Sequence, residues 1–283
     1  MDINPRHLVT AGLLGDEFIQ CPLANSVEFP AVLEAIIRQH EVDTWLPLLP
    51  EEIILACKLR QDSIVGEKCK LILPGGDTAV VCSDKWMLAV ALRQRDIPTP
   101  GTALASAPID KDLLFLKPRI ATGAKGARTV ARSQVARFVS DVPDSWIVQE
   151  ICTGPEVTID AFHNPVSGEL ISTARERLEV KLGVSTKARL FRDPALHQLT
   201  ERLVKTLKLD GSFCYQVMKL HGEWAVTDVN PRPGGASAMC SAVGQDFFAA
   251  TFAYHWGEDC ARFFRKLDRE RFVTRQYAEF LMA

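Results

Sequence analysis

The segment that most constrains the fold is residues 212–230, which has the pattern of a β-hairpin. Its two halves are runs of strand-forming residues, and His221-Gly222 between them predicts a turn. A turn centred near Gly222 sets Gln216 roughly opposite Asp228, where side chains of paired strands interact. The pattern therefore predicts an antiparallel strand pair with polar side chains near one end.

The end of this hairpin collects oxygen-bearing side chains. Alternate residues of a strand share a face, so Asp228 and Asn230 should point the same way. Pro231 cannot continue a ladder and leaves Arg232 at the strand end, as a clamp for phosphate. With Gln216, the set offers one carboxylate and two amides, which suits Mg²⁺ completed by water and phosphate. A polar strand end entering a turn is the alternative.

A second polar region follows the apolar residues 113–116. Lys117 ends this predicted strand, and residues 118–126 form a loop of small and basic residues that includes Gly123 and Lys125. Small residues let backbone N–H groups approach phosphates, and lysines supply charge. The loop is not a Walker motif, because no Gly-Lys-Ser/Thr opens a helix, and an ordinary turn has a similar composition.

Lys85 lies in the first turn of a predicted helix that Ser83 would cap. A lysine at this place works against the helix dipole, a mild cost that an anionic ligand would relieve. The side chains predicted to face inward are Met87, Leu88, Ala91 and Leu92.

Two acids flank a predicted break between strands. Residues 146–152 turn from apolar to acidic at Glu150, residues 153–155 read as the break, and Glu156 opens a run of alternating residues. Such a hinge could bind an adenine and a ribose, although ordinary surface strands have the same pattern.

The order of these motifs resembles the ATP-grasp superfamily, and within it the carbamoyl-phosphate-synthase-like carboxylate–amine ligases. The resemblance implies an α/β and α+β protein: two α+β subdomains that clasp ATP, preceded by a shortened Rossmann-like pre-ATP-grasp domain. The matching segments are Asp84-Lys85, residues 96–100, Lys117-Pro118-Arg119 with Gly123 and Gly126, Gln149-Glu150, residues 154–156, Gln216 and residues 228–235.

The resemblance also implies roles for individual residues. Nucleotide binding would fall to Lys85, Lys117, Gly123 and Lys125 at the phosphates, Glu150, Ile151 and Cys152 at the adenine, and Glu156 at the ribose. The metal ligands would be Gln216, Asp228 and Asn230, and the catalytic residues Arg232, Arg177 and Lys187. Asp228 departs from the family pattern, which usually has the longer Glu at this position.

Residues 175–189 carry many charges. Taken alone they read as a solvated charged segment. The resemblance suggests a mobile loop over the active site, flexible at Gly183, from which Arg175, Arg177 or Lys187 would reach a substrate carboxylate or the γ-phosphate.

The predicted domains are residues 1–82, an abbreviated pre-ATP-grasp α/β domain; residues 83–149, a small lid subdomain; and residues 150–283, which carry the metal site. The first domain starts near what would be the end of its second strand. A parallel sheet that lacks its first strand exposes an edge, so a homodimer is a reasonable expectation.

Bulk properties exclude some functions. The 283 residues have a formal charge of −2 and a pI near 6.3, which argues against a nucleic-acid partner. No apolar run approaches the ~20 residues of a membrane span. The cysteines form no CxxC and read as reduced thiols of a cytoplasmic protein: Cys21, Cys57, Cys69, Cys82, Cys152, Cys214, Cys240 and Cys260.

The sequence thus predicts an ATP-dependent ligase that activates a small-molecule carboxylate as an acyl phosphate for attack by an amine or similar nucleophile. ATP and one or two Mg²⁺, with Mn²⁺ as an alternative, would be required. Two other readings stay open: an ATP-grasp phosphotransferase, and a non-catalytic ATP/ADP-binding regulatory partner.

Overall fold

The computed structural model describes residues 1–62, 65, 68–75, 77–121, 126–139, 141–181, 183–276 and 278–282. Contacts divide the chain into two compact units. One comprises Met1–Ile72 with Gln276–Ala283, and the other comprises Leu73–Arg275. The domain boundaries drawn from the sequence remain predictions. None of the helices in the described part of the chain has the length and apolarity needed to cross a membrane.

The first unit contains a parallel strand pair with a helix between its strands. Its helix α1 buries one apolar stripe, which includes Phe29 and Leu33. The two short strands pair in parallel, with Thr44 opposite Lys70. That this unit is a Rossmann-like domain remains a prediction. Its elements are α1 (Phe29–Gln39), β1 (Thr44–Trp45), α2 (Pro50–Asp62) and β2 (Lys68–Leu71).

The second unit contains two antiparallel sheets. Its first half comprises α3 (Thr78–Ser83), α4 (Lys85–Arg93), β3 (Thr102–Leu104), β4 (Leu113–Pro118), β5 (Arg128–Ala131), α5 (Val135–Val139) and β6 (Trp146–Gln149). Its second half comprises β7 (Thr153–Asn164), β8 (Glu169–Lys181), β9 (Val184–Phe191), α6 (Pro194–Leu207), β10 (Gly211–Leu220), β11 (Glu223–Asn230), α7 (Ala238–Ser241), α8 (Phe247–Trp256) and β12 (Arg271–Thr274).

The strand order is β3-β6-β4-β5 in the smaller sheet and β11-β10-β7-β8-β9-β12 in the larger one. The predicted hairpin is the pair β10–β11, and Gln216 does stand opposite Asp228. Residues 150–152 connect the two sheets. The break predicted at residues 153–155 is therefore misplaced, because β7 already begins at Thr153.

The two faces of the larger sheet differ in polarity. On one face, Val157, Ile159 and Ala161 of β7 pack in a core with Leu203 and other apolar residues of α6. On the other face, Glu156, Thr158 and Asp160 alternate with them. This second face is covered near Phe162 by α8, and the part nearer the start of β7 is left for polar side chains.

The charged segment predicted as a mobile loop is mostly strand. Residues 175–181 and 184–189 lie in the paired strands β8 and β9, with Glu176 opposite Arg189. The charges that suggested a solvated loop instead pair between strands, as in the ion pairs of Arg189 with Glu176 and Lys187 with Glu179. Opposite charges facing each other across a ladder stabilise the pairing of the strands.

The start of α4 also differs from the prediction. Asp84 rather than Ser83 is the N-cap, because its carboxylate accepts from the backbone N–H groups of Trp86 and Met87. The Ser83 hydroxyl donates to the Ala79 carbonyl of the preceding helix. Met87 is exposed rather than inward-facing.

The core under α6 provides a test of the fold. Leu203→Ala should lower the free energy of unfolding by about 3 kcal/mol, because a fully buried leucine leaves a cavity. Lys205→Ala on the exposed side of the same helix should change it by less than about 0.5 kcal/mol. Urea unfolding followed by circular dichroism measures both. Equal losses would show that α6 does not pack on the sheet as described.

Candidate functional site

A cavity of about 470 Å³ lies over the polar face of the larger sheet in the second unit. Its lining comes from both sheets and from the residues 150–152 that connect them. A cavity of this size can take a small-molecule ligand. The predicted site residues that line it are Lys85, Lys117, Glu150, Ile151, Cys152, Glu156, Arg177, Gln216, Asp228, Asn230 and Arg232, together with Arg175.

The predicted metal ligands lie together. Gln216 and Asp228 form a cross-strand pair, and Asn230 lies two residues beyond Asp228. In the described residues no group of three or more His, Cys, Asp or Glu side chains could hold a metal. One carboxylate and two amides would bind free metal weakly. They fit Mg²⁺ that brings phosphate and water oxygens as its other ligands.

The two predicted phosphate-binding lysines flank this set. The Lys85 ammonium donates to the Ala121 carbonyl at 3.0 Å and lies 3.9 Å from Asp228 Oδ1. Lys117 donates to the Thr227 carbonyl at 3.1 Å. Burial lowers the pKa of Lys117 to about 8, although the charge of Asp228 opposes this shift. A buried ammonium held by a carbonyl is suited to an anionic ligand.

Asp84 fixes the place where Lys85 enters the cavity. Besides capping α4, its carboxylate accepts from Arg119 Nε at 2.7 and 2.9 Å. The Lys85 N–H donates to the Arg119 carbonyl at 3.1 Å. The start of α4 is therefore bound to the end of the strand that carries Lys117.

The connection between the sheets is held by Gly101. The Gly101 N–H donates to Glu150 Oε2 at 2.9 Å, and the Glu150 N–H donates to the Gly101 carbonyl at the same distance. Lys111 lies 3.4 Å from the other carboxylate oxygen of Glu150. The Glu150 side chain thus has protein partners, and Ile151 and Cys152 follow it along the cavity.

Arg232 has no acidic partner in the described residues. Its Nη1 donates to the Pro233 carbonyl at 2.9 Å and its Nη2 lies 3.4 Å from Asn230 Oδ1. Its Nε is buried without a partner among the described residues. A partly buried guanidinium without an acidic partner among the described residues favours an anion beside it.

Arg177 and Lys187 differ in their location relative to the cavity. Arg177 lines the cavity, where its Nη1 contacts Glu156 Oε1 at 2.7 Å and its Nη2 donates to the Gly183 carbonyl at 2.9 Å. Lys187 is exposed, bonded to Glu179 at 2.9 Å, and is not among the residues that line the cavity. It faces away because it pairs with Glu179 across the hairpin. Gly123 and Lys125 lie outside the described residues.

The sequence pointed to Arg175 but not to the buried acid that pairs with it beside the cavity. Asp160 pairs with Arg175, whose Nε lies 2.8 Å from Asp160 Oδ2. Arg175 Nη1 donates to the Ser185 hydroxyl at 3.1 Å. Burial opposes the charge of Arg175, but Asp160 outweighs it and raises the pKa of the guanidinium. The sequence does show that Glu156, Thr158 and Asp160 alternate with apolar residues, which predicts a polar face on this strand. In the structure that face is mostly enclosed.

Comparisons with known proteins identify the family and the fold of the chain. The family described as the ATP-grasp domain matches residues 82–236. No curated protein matches the sequence. Among solved structures, the biotin carboxylase domain dimer of 2-oxoglutarate carboxylase from Hydrogenobacter thermophilus, in complex with ADP, its magnesium salt and bicarbonate, has a TM-score of 0.70. The identity is 13%, over 87% of this chain and 61% of that one.

Two further structures have the same fold. N5-carboxyaminoimidazole ribonucleotide synthetase from Thermus thermophilus has a TM-score of 0.69 at 15% identity, over 91% of this chain and 71% of that one. A biotin carboxylase from Campylobacter jejuni has a TM-score of 0.66 at 13% identity, over 88% of this chain. The chain spans 63% of that carboxylase, less than two thirds of its length. Because the family match covers more than half of the sequence, the chain belongs to the ATP-grasp family.

Proposed function

We propose that the chain is an ATP-dependent ligase of the carboxylate–amine type. The observation that carries this proposal is the enclosure of Gln216, Asp228 and Asn230 by three cations, Lys85, Lys117 and Arg232, in one cavity. Such a set can hold a triphosphate with its metal beside a carboxylate. The ligands of the carboxylase structure, MgADP and bicarbonate, are of this chemical class.

The proposed reaction has two steps. A carboxylate oxygen of the substrate attacks the γ-phosphorus of ATP, the β–γ bridging P–O bond breaks, and ADP leaves. An amine then attacks the acyl carbon of the acyl phosphate, and phosphate leaves as the amide forms. Positioning and charge neutralisation account for most of the rate in phosphoryl transfer, so no nucleophilic side chain is needed.

The residues have separate roles in this scheme. Lys85 and Lys117 hold the phosphates, and Arg232 binds the carboxylate and the charge that develops on the transferred group. Gln216, Asp228 and Asn230 would hold Mg²⁺, which neutralises phosphate charge when bound.

The adenosine end would lie at the connection between the sheets. The backbone of Ile151 and Cys152 offers hydrogen-bonding groups to the adenine, while Gly101 and Lys111 hold the Glu150 carboxylate. Glu156 would bind the ribose. In this structure Glu156 is paired with Arg177, so ribose binding competes with that ion pair.

A screen for the substrates tests the reaction class. Carboxylic acids are offered in combination with amines, and ADP release is measured in the presence of MgATP. An active acid should also yield a hydroxamate with hydroxylamine, because an acyl phosphate transfers its acyl group. ADP release with a stable phosphoester product would indicate a phosphotransferase, and ADP binding without turnover on any acid would indicate a binding partner.

Asp228 should couple metal binding to nucleotide binding. In wild type, Mg²⁺ should tighten ADP binding by about tenfold or more, and Asp228→Ala should lose most of this gain because the only carboxylate of the set is removed. Calorimetric titration of ADP with and without Mg²⁺ measures the effect. Glu223→Ala, an exposed acid on the same strand, is the control. A full magnesium effect in Asp228→Ala would refute the metal assignment.

Gly101→Ala should weaken nucleotide binding without unfolding the protein. A methyl group at Gly101 would lie 2.6 Å from Glu150 Oε2 and would displace the side chain that fixes the connection. We expect the Kd of MgADP to rise by about tenfold, or ~1.4 kcal/mol. Gly75→Ala, where a methyl group meets nothing within 4 Å, should leave the Kd unchanged. Equal Kd values for the two variants would contradict an adenine site at residues 150–152.

A further inference from the structure

A network centred on the buried carboxylate of Asp160 lies directly behind Arg175, which lines the cavity. The Asp160 side chain is 1% exposed. Its Oδ2 accepts from Arg175 Nε at 2.8 Å, and its Oδ1 accepts from the Ser237 hydroxyl. The Cys240 thiol also lies 3.5 Å from Oδ2. One carboxylate therefore connects β7 to β8 and to the segment that follows Arg232.

Two partners fix the orientation of Arg175. Its Nε is bound to Asp160 and its Nη1 to the Ser185 hydroxyl. Arg175 lines the cavity. With two nitrogens of a planar guanidinium held, the direction in which the third can donate is also set.

Asp160 also holds, through Ser237, the segment that contains Gly234 and Gly235, two residues that line the cavity. The Ser237 hydroxyl that donates to Asp160 accepts from the Gly234 N–H at 2.8 Å. There is little space here: a methyl group at Gly234 would lie 3.1 Å from Cys214 Sγ and 3.6 Å from Asp160 Oδ1. The segment that begins at Arg232 is thus linked to Asp160 by the hydrogen bonds of Ser237.

Arg175 and Arg232 contribute differently to this end of the cavity. Cys214 lies between their strands, opposite both Asn230 and Asp160 in the ladder. Burial raises the pKa of its thiol, and the charges of Arg232 and Arg175 both oppose that rise. Arg232 has no acidic partner in the described part of the chain, whereas the charge of Arg175 is compensated by Asp160. Arg232 therefore supplies net positive charge, and Arg175 supplies a donor of fixed direction.

We propose that Asp160 is a positioning residue that holds Arg175 as part of a subsite for the carboxylate of the second ligand. The inference rests on the proposed function, because the carboxylate is the group that accepts the phosphoryl group. Asp160 itself touches no ligand. It fixes the orientation of Arg175 and, through Ser237, the position of Gly234. Arg175 then orients the carboxylate, while Arg232 provides the positive charge.

Two small anions can separate this subsite from the phosphate site. Inorganic phosphate resembles the transferred group alone and carries no carboxylate. Phosphonoacetate carries a phosphonate and, one carbon away, a carboxylate, much as the acyl group adjoins phosphorus in an acyl phosphate. Each is titrated by calorimetry into protein saturated with MgADP. In wild type, phosphonoacetate should bind at least about fivefold more tightly than phosphate.

Asp160→Asn should abolish this preference, giving similar Kd values for the two anions, while the Kd of MgADP changes by less than about twofold. A merely structural role would weaken all three ligands together. Because loss of a buried charge can prevent folding, a milder pair of variants accompanies it. Ser185→Ala removes one acceptor of Arg175, and Thr186→Val removes the neighbouring hydroxyl, which bonds to Glu179 instead.

We expect Ser185→Ala to lose at least half of the preference for phosphonoacetate and Thr186→Val to keep it. Equal preferences in these two variants would overturn the inference, as would a wild-type protein that binds MgADP but does not distinguish the two anions. Failure of wild type to bind MgADP at all would instead overturn the proposed function.

Discussion

The ion pair between Asp160 and Arg175 is the interaction on which the cavity floor depends. A single buried charge costs several kcal/mol, so neither residue could lie in the sheet without the other. Their pairing allows one face of the larger sheet to be polar and enclosed at once. The opposite face carries Val157 and Ile159 and packs under α6. Period-two alternation along β7 thus separates a core that stabilises the sheet from a surface that can bind a ligand.

Four of the cations that line the cavity fall into two classes, according to whether an acidic side chain pairs with them. Arg175 and Arg177 are compensated by Asp160 and Glu156, whereas Lys117 and Arg232 bond only to uncharged oxygens in the described residues. Compensated cations add little to the potential that a ligand feels, because their field is largely cancelled nearby. Anions should therefore be drawn to Lys117 and Arg232 and then be oriented by the others.

The sequence was most informative where the pattern is local. The hairpin and its register at Gln216 and Asp228 follow from short-range periodicity and from the turn at Gly222. The Asp160–Arg175 pair was not evident, because its partners lie on different strands and only folding brings them together. The β8–β9 hairpin was misread as a loop for a related reason: its charges are neutralised across the ladder, which a linear pattern does not show.

An irregularity in the backbone links the metal ligands to the phosphate-binding lysine. Gln216 pairs with Asp228 and Val217 with Val226, so Thr227 is an extra residue on β11, as in a β-bulge. An extra residue is left without a ladder partner, and the Thr227 carbonyl instead accepts the Lys117 ammonium. The distortion that sets the position of Asp228 thus also supplies the acceptor for Lys117. Because Asp228 has a shorter side chain than the usual Glu, its reach into the cavity depends all the more on this bulge. Removing the bulge would move the carboxylate and the lysine together.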